Sequence, residues 1–344
     1  MGPRQTVITV FSTPKPFTGH TNIIQRNAIQ SWQRLHPDVE VMLIGDDEGT
    51  AEVCEELRIT HIKEVRRNEY GTKYLASVYE QAEDHAGHEI LCHVNCDIVL
   101  MSDFLHAVKL VSKFTTRFLM AGQRWDVNLD VPLHFHKPEW ENDLRRFTLE
   151  MKKQRPPQWI DYFVFTKGLY RGKIPEFLIG RPGWDNWLVW YPLSIHLPVI
   201  DASRKVVAVH QNHDYSYHPD GERGVWQGVE AQWNYGLLDI KGAHRTLESA
   251  SYVIDDGRIR KNYRAPVVAI ARSLVVVFYS LWFPLLDVTR PVRILLGLRP
   301  AESDRRNHPI QLPRILVVLG VAALLLWWIW SIVKLGDIPP GRGW

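Results

Sequence analysis

The chain has little excess charge of either sign and few cysteines. Lys and Arg number 41 against 38 Asp and Glu among 344 residues, which leaves a formal net charge of +3. A nucleic-acid-binding protein normally carries a marked basic excess, so no nucleic acid is expected as a partner. The three cysteines, Cys54, Cys92 and Cys96, form no CxxC pair of the kind found in zinc sites. We therefore expect reduced core thiols and a cytosolic compartment.

Glycine-rich phosphate-binding motifs are also missing. No Gly-x-Gly-x-x-Gly follows the first predicted strand, and no Walker motif occurs anywhere. The sequence therefore supports neither a dinucleotide-binding fold nor a P-loop enzyme. Carboxylates stand where such glycines would be, which indicates a nucleotide held through its base and ribose, with a metal on its diphosphate.

The first half of the chain alternates between strand and helix patterns. Apolar, β-branched runs predict strands over residues 7–11, 39–44, 60–65 and 90–101. Helical periodicity lies between them, over residues 22–35, 50–57 and 74–85. This alternation predicts an α/β fold, a mostly parallel sheet flanked by helices. Ligands of such sheets bind at the carboxyl ends of the strands, where the polar residues of this sequence gather.

The stretch over residues 90–101 is a predicted buried strand with polar residues near its middle. Side chains at positions i and i+2 of a strand share a face, so Asn95 and Asp97 are expected to point the same way. One explanation is a hard divalent cation that in turn holds a diphosphate. The other is a buried Asp satisfied by backbone donors or an Arg, and both explanations stay open at this point.

Two later segments carry further candidate groups. Gly and Pro within residues 179–183 predict a tight turn, which places Asp185 in the first turn of a helix, as a capping residue or as a general base. A final strand over residues 206–218 runs into His210 and His213. A His at the end of a core strand either completes a metal shell with Asp97 or is buried and hydrogen-bonded.

Four motifs carry a resemblance to a known family. LIGDDEG (residues 43–49), RNEYGT (67–72), HVNCDI (93–98) and GWDN (183–186) together resemble a GT-A fold glycosyltransferase of the family 2-like kind, over roughly residues 6–217. The resemblance implies a Rossmann-like GT-A sheet and transfer of a sugar, with inversion, from a nucleoside diphosphate sugar to an acceptor hydroxyl. It also implies Mg²⁺ or Mn²⁺ as the cofactor.

The resemblance assigns roles to residues of this sequence. Asp185 is expected as the catalytic base. Metal ligands are expected at Asp97, His210 and His213, and acceptor contacts at Arg181, Trp184 and Asn186. The residues expected to bind the nucleotide sugar are Thr13, Pro14, Asp46, Asp47, Asn68, Gly71, Thr72, Asn95 and Asp97. Asn95 replaces the first Asp of the family's Asp-x-Asp motif, so Asp97 is expected as the direct ligand and Asn95 as a contact to sugar or ribose.

The C-terminal part differs in kind from the rest. Residues 315–333 form an uncharged apolar run of the length that crosses a bilayer as a helix, with a buried soluble helix as the alternative. Basic residues cluster before this run, and no signal peptide is recognised, which predicts a single-pass protein with its catalytic domain on the cytoplasmic side. Residues 266–286 predict an amphipathic helix that is in-plane or re-entrant, with a true span as the alternative.

These patterns predict four regions and one function. The regions are a GT-A-like domain (1–250), a basic connector (251–312), a transmembrane helix (313–334) and a short tail (335–344). The expected function is a membrane-anchored glycosyltransferase that acts on a lipid-linked or glycolipid acceptor, contacts membrane lipids and forms a possible homo-oligomer. Two other functions compete with it: a nucleotidyltransferase, and a catalytically degenerate binding module recruited to the membrane, which Asn95 favours.

Overall fold

The computed structural model describes residues 7–214, 219–238, 245–265 and 267. All of these belong to the first of two compact units into which the chain divides, residues 1–273 and 274–344. The strands in the described part are β1 Thr9–Ser12, β2 Glu40–Ile44, β3 Thr60–Ile62, β4 Ile90–Val94, β5 Ile98–Val99, β6 Leu119–Val127, β7 Ile160–Thr166, β8 Val199–Asp201, β9 Ala208–Gln211, β10 Tyr252–Asp255 and β11 Arg258–Lys261. The helices there are α1 Gly19–Gln33, α2 Thr50–Leu57, α3 Leu75–His85, α4 Ser102–Phe114, α5 Trp140–Met151, α6 Trp184–Ser194, α7 Gly221–Gln227 and α8 Val229–Leu237.

The fold is α/β, and its strands form one sheet of parallel and antiparallel pairs. The strand order is β11-β10-β8-β6-β7-β4-β1-β2-β3, with β9 beside β5 and β6. Strands β4, β1, β2 and β3 are parallel, as predicted. Strand β7 lies antiparallel between β4 and β6. The sheet is thus less uniformly parallel than predicted, because strand direction is set by the connections rather than by a strand's own residues. Strands β10 and β11 also extend the sheet beyond residue 250, where the predicted domain ends.

The predicted strand over residues 90–101 is wrong in one respect, since it is two strands joined by a turn. Strand β4 ends at Val94 and β5 begins at Ile98. The Asn95 amide continues the β4–β7 register and donates to the Asp161 carbonyl over 2.9 Å, and the Ile98 amide then closes a turn onto the Asn95 carbonyl over 3.1 Å. The alternation rule of a continuous strand therefore does not fix the directions of Asn95 and Asp97.

Both faces of the sheet are covered, and alternate residues of its strands enter different cores. Val10 of β1 packs in the core beneath α1, α2 and α4, and the next residue, Phe11, packs in the core beneath α3 and α6. Cys54, Cys92 and Cys96 are buried and free. Burial raises the pKa of the Cys54 thiol to about 12, so this thiol is inert at neutral pH.

In the described part of the chain, no helix has the length and apolarity needed to cross a membrane. The predicted transmembrane helix over residues 315–333 lies outside the described residues, as does the predicted in-plane helix over residues 266–286 apart from residue 267.

Candidate active site

A large cleft opens where the loops after β1, β2 and β4 meet the turn before α6. Its volume is about 1620 Å³, well above the ~300–1000 Å³ usual for a single small ligand. The cleft therefore has room for two substrates side by side. The predicted site residues that line it are Thr13, Pro14, Asp47, Gly71, Thr72, Asn95, Asp97, Arg181, Trp184, Asp185, Asn186, His210 and His213. Asp46 and Asn68 do not line it.

Asp97, His210 and His213 form a candidate metal centre. Antiparallel pairing sets Ile98 of β5 opposite His210 of β9, so the turn residue Asp97 lies beside both histidines. The Nε2 atom of His213 is 3.2 Å from Asp97 Oδ2, and Nε2 of His210 is 4.0 Å from the same oxygen. One ligand atom from each of the three residues falls within 4.8 Å of the others.

The chemistry of this cluster fits a divalent cation. Among the described residues, the buried Asp97 Oδ1 has no hydrogen-bond partner, which a cation would supply. His210 Nδ1 lies 3.3 Å from Asp126 Oδ1, the kind of carboxylate neighbour that orients a ligating imidazole. Two imidazole nitrogens and a carboxylate suit a first-row transition dication, and Mg²⁺ prefers oxygen ligands alone. The donor set therefore favours Mn²⁺ over Mg²⁺.

Two histidines and a lysine lie close to Asp97. Lys15 follows β1 and lines the cleft, and its ammonium lies 3.2 Å from His213 Nε2. Burial by itself raises the pKa of Asp97, but the nearby His210, His213 and Lys15 outweigh burial and hold that pKa well below its usual range. Asp97 is therefore ionised at neutral pH and available as a ligand. The sequence reasoning missed Lys15, although a lysine between two prolines at the end of a core strand was a visible signal.

Asp185 occupies the predicted position in the first turn of α6. Gly183, with φ 101°, holds the N-cap position, and the α6 N-cap makes no side-chain capping bond. Asp185 lines the cleft and is partly buried. Burial, with a contribution from the Asp161 carboxylate, raises the pKa of Asp185 to about 7. A carboxylate with that pKa accepts a proton near neutral pH, as a general base must.

A chain of polar contacts that the sequence reasoning missed anchors Asn95. Asn95 Nδ2 donates to Asp161 Oδ1 over 2.6 Å, and Arg124 Nη1 donates to Asp161 Oδ2 over 2.8 Å. Arg124 Nε donates in turn to Asp126 Oδ1 over 2.9 Å. The amide group of Asn95 thus donates to Asp161. Through Arg124, these contacts connect Asn95 to Asp126, the carboxylate beside His210. A charged residue in the otherwise apolar strand β7 was the signal for Asp161.

Ion pairs join the loops that carry residues predicted to bind the nucleotide sugar. Asp47 pairs with Lys73, whose ammonium also donates to the Pro14 carbonyl over 2.8 Å. Arg67 Nη2 donates to Asp46 Oδ1 over 2.8 Å and lies 3.2 Å from Asp47 Oδ2. Asp46 points outward with its side chain 66% exposed, whereas Asp47 is 15% exposed and lines the cleft. Asp47 is thus the better placed of the two for a nucleotide.

The three residues predicted to bind an acceptor are all engaged within the protein. The Arg181 guanidinium bonds to the Glu230 carboxylate. Trp184 packs against the rings of His93 and Phe163, with centroids 5.5 and 5.7 Å away, as the core explanation of this Trp requires. The Asn186 amide donates to the Arg245 carbonyl over 2.8 Å. Their contact with an acceptor stays a prediction.

No family model matches the chain, and no curated protein matches its sequence. Among solved structures, it is similar to S. aureus TarS 1–349 in complex with UDP-GlcNAc, at 13% identity and a TM-score of 0.40, over 60% of this chain and 59% of that chain. The chain thus spans less than two thirds of the TarS structure. It is also similar to glucosyl-3-phosphoglycerate synthase from Mycobacterium tuberculosis in complex with Mn²⁺, UDP and glucosyl-3-phosphoglycerate, at 13% identity and a TM-score of 0.39, over 68% of this chain and 81% of that chain.

Proposed function

We propose that the chain is a glycosyltransferase that transfers a sugar from a nucleoside diphosphate sugar to an acceptor hydroxyl with inversion at the sugar C1. The observation that carries this proposal is the shared cleft. It contains a candidate metal centre of Asp97, His210 and His213, and a separate carboxylate, Asp185, whose pKa of about 7 suits a base. Transfer with inversion needs one group that neutralises a leaving diphosphate and another that activates a hydroxyl.

Each of these groups has a distinct task in the proposed reaction. Asp185 accepts the proton of the acceptor hydroxyl as its oxygen bonds to C1 and the bond from C1 to the diphosphate oxygen breaks. Asp97, His210 and His213 would hold a divalent cation, which would supply charge that stabilises the departing diphosphate. Lys15, which lies beside His213 in the cleft, is placed to donate to the same diphosphate, and Asp47 is placed for the base and ribose.

A nucleotidyltransferase is less well supported by the loop after β1. That loop reads Thr13-Pro14-Lys15-Pro16, in which two of the four residues lack the backbone N–H groups that cradle a triphosphate. A catalytically degenerate module is also less well supported, because it has no use for a base with a pKa of about 7 in the cleft.

Donor turnover tests the proposal. The full chain in detergent is incubated with Mn²⁺ and each of a panel of nucleoside diphosphate sugars, beginning with uridine donors, and released nucleoside diphosphate is measured. We expect slow hydrolysis of one donor family, reduced at least about 100-fold in Asp185→Asn. Release of pyrophosphate from a nucleoside triphosphate would instead identify a nucleotidyltransferase, and turnover of neither class would identify a binding module.

We further propose that the transferase is anchored in a membrane by residues 315–333, with its catalytic unit on the cytoplasmic side and a lipid-linked or glycolipid acceptor. The apolar run and the basic residues that precede it support this proposal. Fractionation of cells that express the full chain, before and after deletion of residues 313–334, tests the anchor. Release of the shortened chain into the soluble fraction is expected, and unchanged fractionation would contradict the anchor.

A further inference from the structure

Helix α8 fastens the segment that leads into Asp185. Trp233 Nε1 donates to the Glu176 carbonyl over 2.9 Å. Asn234 is buried, and its amide donates to the carbonyls of Leu178 and Pro182 over 3.0 and 3.1 Å. The Leu178 amide donates back to Asn234 Oδ1 over 2.8 Å. These bonds fix the backbone of the turn at residues 179–185, which we call the base turn.

Glu230 of the same helix joins the base turn to a second loop. Its Oε2 accepts from Arg181 Nε over 2.9 Å and also from Nη2 of the same guanidinium. Its Oε1 accepts from Asn68 Nδ2 over 2.8 Å, and the Thr72 hydroxyl is a further donor to the carboxylate. Asn68 and Thr72 belong to residues 67–73, which we call the donor loop because Arg67 and Lys73 hold Asp47 there.

The donor loop depends on the same contact for its shape. Asn68 Oδ1 accepts from the backbone amides of Tyr70 and Thr72 over 3.1 and 2.9 Å. Every group that faces Glu230 in these contacts is a hydrogen-bond donor, so only a carboxylate satisfies all of them. Glu230 thus orients Asn68, and Asn68 closes the donor loop.

The ion pair between Arg181 and Glu230 is buried, so a contribution to stability does not by itself explain it. The side chains of Arg181 and Glu230 are 8% and 10% exposed, and a buried ion pair often stabilises a fold less than apolar residues would. The exposed pair Arg66–Glu176 connects nearly the same two segments at 53% and 44% exposure, so an inexpensive link already exists. A buried link is better explained by the geometry that it imposes.

We propose that Glu230 is a positioning residue that fixes the donor loop relative to the base turn, so that a bound donor and Asp185 keep one mutual arrangement. The inference rests on the proposed function for its kinetic consequence. The clasp itself, the set of bonds around Glu230, is a property of the fold that is measurable without turnover.

Three variants test the clasp. Glu230→Gln places an amide N–H group against the donors of Asn68 or Arg181 and so breaks the clasp. The double variant Glu230→Gln/Asn68→Asp reverses donor and acceptor across one bond, since the new aspartate accepts from the glutamine amide and the glutamine oxygen still accepts from Arg181. Glu176→Gln is the matched control, because it removes the exposed pair with Arg66.

Two readouts follow each variant. Hydrogen–deuterium exchange is measured over residues 66–74 and 176–185, and donor KM and kcat are measured by diphosphate release. In Glu230→Gln we expect both segments to exchange faster together, with KM raised and kcat lowered by about tenfold each, as for loss of a charged hydrogen bond. The double variant recovers most of both changes, and Glu176→Gln changes neither.

The outcomes separate the clasp from the proposed function. Faster exchange confined to one segment, unchanged kinetics in Glu230→Gln, or no recovery in the double variant would overturn the positioning role. A wild-type chain that turns over no donor would overturn the proposed function and with it the kinetic role. In that case the exchange data alone decide whether Glu230 joins the two loops.

Discussion

Asp185 is the residue whose surroundings most constrain the chemistry. It stands in the first turn of α6, in the cleft, and burial raises its pKa to about 7. The positive end of a helix normally favours an ionised carboxylate, so burial outweighs the helix dipole here. The balance leaves a carboxylate that is partly protonated at neutral pH.

The pH dependence of turnover follows from this pKa. A general base works in its ionised form, so kcat for donor turnover is expected to rise with pH through about 7 and to fall about tenfold per unit below it. A pH–rate profile of the wild-type chain with saturating donor and Mn²⁺ checks this. A profile that is flat between about pH 5.5 and 8 would remove Asp185 from the base role.

The same pKa also predicts how the stability of Asp185→Asn, relative to the wild type, depends on pH. Because the folded-state pKa of about 7 exceeds the unfolded value near 3.8, the folded state holds this proton more tightly. Stability from this group is therefore full below the unfolded pKa and is lost as pH rises through the folded pKa. Asp185→Asn should raise Tm more at about pH 8 than at about pH 5. Thermal melts at both values check this, and an equal or reversed shift would contradict the burial of Asp185.

Single residues differ in how far the sequence could predict them. Asp185 lies in the first turn of its helix as predicted, and Asp97, His210 and His213 gather in one cleft as the motif positions implied. The choice between Asp46 and Asp47 depends on Lys73, and no local pattern announces that ion pair. Asn95 is bound to Asp161, which is 66 positions away and becomes a neighbour only through strand pairing.

At the scale of elements, the base turn depends on one glycine. Gly183 adopts φ 101°, and a Cβ on it would meet Leu238 Cδ1 at 2.6 Å. Strain and overpacking act together there, so Gly183→Ala should lower the free energy of unfolding by about 3 kcal/mol. Denaturant unfolding measures the loss, with donor turnover measured in parallel.

A second glycine supplies the matched control. Gly172 has φ 62° and open space where a Cβ would lie, so only strain remains in Gly172→Ala, about 1 kcal/mol. Equal losses in the two variants would mean that the contact with Leu238 does not constrain the base turn.

Elements formed by local sequence were predictable, and those formed by distant partners were not. Helix α2 occupies the predicted residues 50–57 because its periodicity and flanking Gly49 are local signals. The break between β4 and β5 was missed, since β4 pairs with β7 whereas β5 pairs with β9, and both partners are distant in the sequence. Strands β10 and β11 were missed as well, because they have only four residues each and are held by pairing, β10 with β8 and β11 with β10.

At the scale of the whole molecule, the α/β class was predictable and the strand directions were only partly so. The alternating strands and helices of the first half form four neighbouring parallel strands, β4, β1, β2 and β3. The run over residues 160–165 predicts the strand that is β7, but its antiparallel direction depends on the preceding region, which is rich in Trp, His and Pro and whose pattern favours no element clearly. That strand carries Asp161, so the uncertainty in topology was also an uncertainty in the site.

The measurement that tests the central claim most directly is a thermal-shift panel of the full chain in detergent. Nucleoside diphosphates are added with and without Mn²⁺ to the wild type, to Asp97→Ala and to the exposed control Asp143→Ala. One nucleotide family with Mn²⁺ should stabilise the wild type and the control by about 2.7 kcal/mol at roughly 100 times Kd, and Asp97→Ala should lose that gain. Absence of a metal-dependent shift with every nucleotide, or an undiminished shift in Asp97→Ala, would contradict a metal-assisted donor site in this cleft.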